Sequence, residues 1–112
     1  MNRAVIKNLT VRLEVNNFIS LLKQEGVPVR RVILFGSFAK GKTHSFSDID
    51  LAVVASPFTS DRVEEMMVLT KLANKVSDRI EPIPLTEESL ASKYDTLAGE
   101  IKRYGKVVYE AN

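Results

Sequence analysis

The run Val32-Ile33-Leu34-Phe35 constrains the fold more than any other stretch of this sequence. It is apolar without alternation, follows Pro28 and Val29, and stops at Gly36, so it has the length of a strand and needs cover on both faces. The segment Val29 to Phe35 is therefore expected to be a central strand. The fold class that follows is α/β (α+β), a small domain with a central mixed β-sheet flanked by helices.

The remaining patterns supply the flanking layers. Leu9, Leu13, Phe18, Ile19, Leu21 and Leu22 recur close to a helical period from Leu9 to Gln24, and Gly26 stands where a left-handed cap belongs. A polar loop, Lys42 to Ser47, leads into a second strand, Asp48 to Ala55, that begins by alternating acid with apolar. Ser60 or Asp61 opens a helix to about Ser77, with Val63, Met66, Met67, Thr70, Ala73 and Val76 as its core-packing stripe. Ile80 to Leu85 is strand-like, but Pro82 and Pro84 lack amide donors, which places it at a sheet edge or leaves it few ladder bonds. Thr86 opens a short helix, Asp95 or Thr96 opens another through Tyr104, and Gly105 ends that helix before Val107 to Tyr109. The expected order is αβαβαβααβ.

Composition excludes several classes. The 112 residues carry 16 basic and 14 acidic side chains, a net charge of +2 that argues little for nucleic-acid binding. There is no cysteine, which removes disulfide frameworks and thiolate metal sites. No repeat or linker divides the chain, and no apolar run approaches the roughly 18 residues of a membrane span. Residues 1–112 are read as one domain with a cytoplasmic address.

Chemistry concentrates between Gly36 and Asp50. Gly36 and Ser37 follow the buried strand and precede a short helical turn, Ser37 to Lys40, where amides and a hydroxyl can approach phosphate oxygens without an intervening side chain. Asp48 and Asp50 are two apart on a strand, so their carboxylates project to one face. Like charges so placed repel unless a cation lies between them, and Mg²⁺ suits hard oxygen ligands shared with substrate phosphates. Two such ions, about 3.5–4 Å apart, would serve an in-line displacement.

The segment Gly36-Ser37-Phe-Ala-Lys-Gly41, followed by Ser47-Asp-Ile-Asp-Leu51, resembles the G-S-x10-D-x-D pattern of the minimal nucleotidyltransferases of the DNA-polymerase-β-like superfamily. The resemblance spans roughly Val29 to Leu85. It implies Mg²⁺, with ATP as nucleotide donor; Gly36, Ser37, Lys40 and Ser47 on the nucleotide side; and Asp48 and Asp50 as metal ligands. The family's third carboxylate falls on a later strand, where Glu81 is the candidate, as metal ligand or as base for the acceptor hydroxyl. Relatives often carry arginine where Lys40 stands, so the positive charge is kept while the bidentate fork is lost. Several members are antitoxins of a HEPN-domain protein, some by adding AMP to its tyrosine. The resemblance thus implies an adenylyltransferase with a HEPN partner. A homodimer is the second choice, because larger relatives close over the acceptor with a helical domain that this length does not supply.

The blander readings are set beside these. A lone Gly-Ser is usually a turn and a lone Asp-x-Asp a solvated strand end; it is their order and spacing together that carry the reading. Arg30 and Arg31 are expected to face away from the buried side, Lys42 and His44 to be loop residues, and Met66 and Met67 to be core filler. Tyr94, Tyr104 and Tyr109 are assigned to core packing ahead of a subunit surface. Two rival functions remain: a non-enzymatic antitoxin module that sequesters its partner, and a small-molecule transferase of the aminoglycoside type.

Overall fold

The computed structural model describes residues 6–41 and 47–112, with the expected element order. Helix α1 (Leu9–Gln24) precedes β1 (Val29–Phe35), and the four-residue α2 (Ser37–Lys40) separates it from β2 (Ile49–Ala55). Then come α3 (Arg62–Asn74), β3 (Ile80–Leu85), α4 (Glu87–Ala91), α5 (Thr96–Tyr104) and β4 (Lys106–Glu110). Lys42 and His44 lie outside the described residues.

The four strands form one mixed sheet in the order β3-β2-β1-β4. Strand β1 runs antiparallel to β2 and to β4, while β2 and β3 are parallel. The uninterrupted apolar strand thus lies inside the sheet, and the proline-bearing strand is at its edge. The amide of Ile49 donates to the carbonyl of Arg79 at 2.7 Å, so the backbone groups of 79, 81, 83 and 85 turn toward β2. Pro82 and Pro84 occupy the outward positions, where a missing amide breaks no ladder bond. The outward carbonyl of Pro84 accepts instead from Arg62 at 3.0 Å.

Alternation along the strands divides the core between two faces. Val32, Leu34, Ile49, Leu51 and Val53 pack with Val11, Val15, Phe18 and Leu22 of α1 and Leu69 and Leu72 of α3. Ile33, Phe35, Ala52 and Val54 pack on the other face with Leu90 of α4 and Ile101 of α5. Asp50 shares the parity of Ala52 and Val54, which sends its side chain to the α4–α5 side of the sheet. Side-chain caps start the helices: Asn8, Asp61, Thr86 and Asp95 accept from Val11, Glu64, Ser89 and Ala98 amides respectively.

Two helical stripes differ from expectation. On α3, Val63 and Met67 are 72% and 67% exposed, Met66 and Thr70 are exposed as well, and the buried residues are Glu65, Leu69, Leu72 and Ala73. Glu65 is tolerated there because its carboxylate accepts from the Phe58 and Thr59 amides at 2.8 and 3.4 Å. On α1, Leu9 and Leu13 face solvent and Val11 and Val15 take their place in the core. Tyr94 and Tyr104 are likewise exposed, and only Tyr109 packs against the core. Arg30 is exposed as expected, but Arg31 is half-buried and pairs with Glu87.

Candidate active site

Gly36 joins β1 to α2 with φ +72° and ψ −147°, a region that essentially only glycine occupies. A Cβ built there would lie 2.2 Å from Asp50 Oδ2 and 3.1 Å from its Cγ. The absent side chain is therefore what lets the Asp50 carboxylate rest against the backbone of the Gly-Ser turn. The sheet register explains the meeting, since Phe35, the residue before Gly36, is the cross-strand partner of Asp50.

The same register brings in the third acid. Asp50 and Glu81 are partners across the parallel β2–β3 pair, so two residues distant in sequence are neighbours on one face at one end of the sheet. Asp48 precedes the first paired residue of β2 and is exposed. Asp50 is half-buried, and its carboxyl is pushed up to about 6, first by burial and then by the negative charges of Glu81, Asp48 and Glu100. Among the described residues, the charges that push Asp50 up are those of other carboxylates, an electrostatic condition that a divalent cation relieves. Among the described residues, no three acids or histidines enclose a metal position by themselves. Mg²⁺ characteristically takes one or two carboxylates and completes its shell with phosphate oxygens and water, so the donor set fits a cation that arrives with its nucleotide.

Ser37 is exposed at the start of α2. Ser47 is buried, and its carbonyl accepts from Arg79 Nε at 3.2 Å. Arg79 also lies 5.6 Å from the ring centroid of Phe38, linking α2 to the segment that enters Asp48. Lys40 does not stand free: its Nζ is 2.8 Å from Glu100 Oε1 and 4.8 Å from the centroid of Tyr104. Arg79, Glu100 and Tyr104 were not singled out for the site from sequence, and no local motif marks them; they reach it through sheet register and through the packing of α5.

The sequence matches the family profile described as polymerase beta, nucleotidyltransferase, over residues 16–112. The chain belongs to the polymerase beta nucleotidyltransferase family. Within it, the chain is 32% identical over 78 residues to the protein adenylyltransferase MntA of Shewanella oneidensis, a match covering 70% of this chain and 55% of MntA. It thus spans little more than half of that curated relative. Among solved structures, the MntA–HepT toxin–antitoxin superposes with a TM-score of 0.59 at 26% identity, covering 89% of this chain and 73% of that one. A toxin–antitoxin crystallised with AMP-PNP gives a TM-score of 0.58 at 25% identity, covering 87% and 73% of the two chains.

Proposed function

We propose that this nucleotidyltransferase transfers AMP from Mg²⁺-ATP to a hydroxyl, that the acceptor is a tyrosine of a HEPN-domain partner, and that the modification makes the chain an antitoxin. The observation that carries the reading is the contact of the Asp50 carboxylate with the Gly36 backbone, with Glu81 in register beside it. The likeness to an adenylyltransferase and to toxin–antitoxin structures, one with an ATP analogue, supports the nucleotide and the partner.

In this account Gly36 and Ser37 seat the triphosphate. Asp48 and Asp50 would hold Mg²⁺, and Glu81 would serve as the third ligand or as the base that accepts the hydroxyl proton. Bound Mg²⁺ would supply Lewis-acid neutralisation of the phosphate charge. The acceptor oxygen forms a bond to the α-phosphorus, the bond to the β-phosphate bridging oxygen breaks, and pyrophosphate leaves with that electron pair. Ser47 is buried, so its place in the site is to shape the approach to Asp48 through the carbonyl held by Arg79. No described helix is long and apolar enough to cross a membrane. A cytoplasmic site of action, where ATP is plentiful, is part of the proposal.

The test is incubation of the protein with α-labelled ATP, Mg²⁺ and a HEPN-domain partner. Label on partner tyrosine that disappears in Asp48→Asn and Asp50→Asn is the expected result. Inhibition of the partner that survives both substitutions, with no label, would replace the enzyme by a sequestering module. Turnover with an aminoglycoside and no protein acceptor would move the acceptor to a small molecule.

A further inference from the structure

Lys40 leaves the last turn of α2 and ends on α5, where Glu100 Oε1 lies 2.8 Å from its Nζ and the Tyr104 ring centroid 4.8 Å. Glu100 and Tyr104 are four apart on one helix, hence side by side on one face, and together form a seat of one carboxylate and one ring. Helix α2 has little to hold itself together. Its four residues are closed by the Lys40 amide on the Gly36 carbonyl at 3.1 Å and the Gly41 amide on the Ser37 carbonyl. The side chain of Lys40 fastens this turn to the α5 layer, while Arg79, against Phe38, fastens it toward the entry to β2.

Charge argues that Lys40 stays where it is. Glu100 is one of the groups whose negative potential acts on Asp50, beside Glu81 and Asp48. If Lys40 left for a phosphate, Glu100 would lose the cation with which it is paired, and its charge already acts on Asp50.

We propose that Lys40 is a strut and not a phosphate ligand: held by Glu100 and Tyr104, it positions the Gly36–Ser37 turn against the acid cluster. The inference rests on that turn being the triphosphate seat. Glu100 and Tyr104 are then positioning residues for nucleotide binding, a role that sequence spacing does not reveal.

The experiment is a charge-swap cycle read in two ways. Lys40→Ala and Glu100→Ala each raise KM for ATP about fivefold, with kcat within about twofold, the size expected for one ion pair with a ring contact. Lys40→Glu combined with Glu100→Lys returns KM to within about twofold of the parent protein, the coupling signature of a contacting pair. In the nucleotide-free protein, both alanine variants speed hydrogen exchange of the Lys40 and Gly41 amides. A raised KM in Lys40→Ala with none in Glu100→Ala, or a swap worse than either single charge reversal, would make Lys40 a phosphate ligand and overturn the proposal. If the parent protein neither binds nor transfers nucleotide, the transferase reading fails and exchange alone decides: faster amides in both variants keep the strut, and unchanged amides remove it.

Discussion

Gly36→Ala is the substitution that bears most directly on how this site is assembled. Two separable costs meet there. The backbone, at φ +72° and ψ −147°, lies where a residue with a Cβ is strained by about 1–3 kcal/mol. The new methyl would also lie 2.2 Å from Asp50 Oδ2, so the carboxylate has to rotate or the turn has to lift from β2. Off-rotamer displacement and overpacking add about 1–2 kcal/mol, giving roughly 2–5 kcal/mol in all. For a domain of 112 residues, at about 4 °C per kcal/mol, that lowers Tm by roughly 8–20 °C. Gly26→Ala is the control. Its φ is +80°, but nothing lies within 4 Å of the added Cβ, so only the left-handed strain of about 1 kcal/mol remains. Urea and thermal unfolding of both variants, and of Gly36→Ala combined with Asp50→Ala, separate the terms. Removing the Asp50 side chain should recover the collision part and leave the backbone part. Equal losses for Gly26→Ala and Gly36→Ala, or no recovery in the double variant, would refute the claim that Asp50 rests on this glycine.

Other expectations follow from the same structure. The Asp50 carboxyl is pushed up to about 6 in the folded protein, above the ordinary carboxylate value of 3.8, so its contribution to stability is present below pH 3.8 and is lost as pH rises through about 6. Asp50→Asn should therefore flatten that decline in the nucleotide-free protein, measured by urea midpoints from pH 4 to 8, and should make the variant the more stable one above pH 6. Gly105→Ala places a Cβ 2.3 Å from the Ile101 carbonyl and 2.6 Å from Ile33 Cγ2, so it should cost about 1–3 kcal/mol by pushing the end of α5 off β1, seen as a lower Tm. Leu69→Ala should cost about 2–5 kcal/mol by chemical denaturation, because Leu69 is fully buried, whereas Met67→Ala should stay within about 0.5 kcal/mol. Glu81→Gln should not destabilise the fold, since Glu81 is exposed and its charge repels that of Asp50, while lowering labelled-AMP transfer about a hundredfold or more.

What the sequence showed plainly was whatever depends on local order. The block Val32 to Phe35 has no polar face and so has to be interior; Pro82 and Pro84 remove donors and fit an edge; Asp61, Thr86 and Asp95 announce helix starts by their own hydrogen bonds. Helix α3 was misread because it carries two candidate stripes. Val63, Met66, Met67, Thr70, Ala73 and Val76 make one, of which only Ala73 is buried and Val76 packs against the core, while Leu69 and Leu72 belong to the other, and periodicity does not say which faces the sheet. Burial of Glu65 within the second stripe disguised it, and the hydrogen bonds that make this burial tolerable come from a loop. The same ambiguity exchanged Leu9 and Leu13 for Val11 and Val15 on α1. At the candidate site, Gly36, Ser37, Asp48 and Asp50 were picked out by spacing, and Glu81 by order along the chain; the structure sets Asp50 against Gly36 and Glu81 in register beside Asp50. Glu100, Tyr104 and Arg79 were not legible, because their relation to the site exists only once α5 crosses the sheet and β3 pairs with β2.

The most direct test of the central claim is a crystal structure of the protein grown with Mn²⁺ and a non-hydrolysable ATP analogue, with the metal located by its anomalous signal. The account expects manganese bonded to carboxylate oxygens of Asp48 and Asp50, and phosphates against the Gly36 and Ser37 backbone. Nucleotide bound elsewhere, or a metal that ignores Asp50, would contradict it.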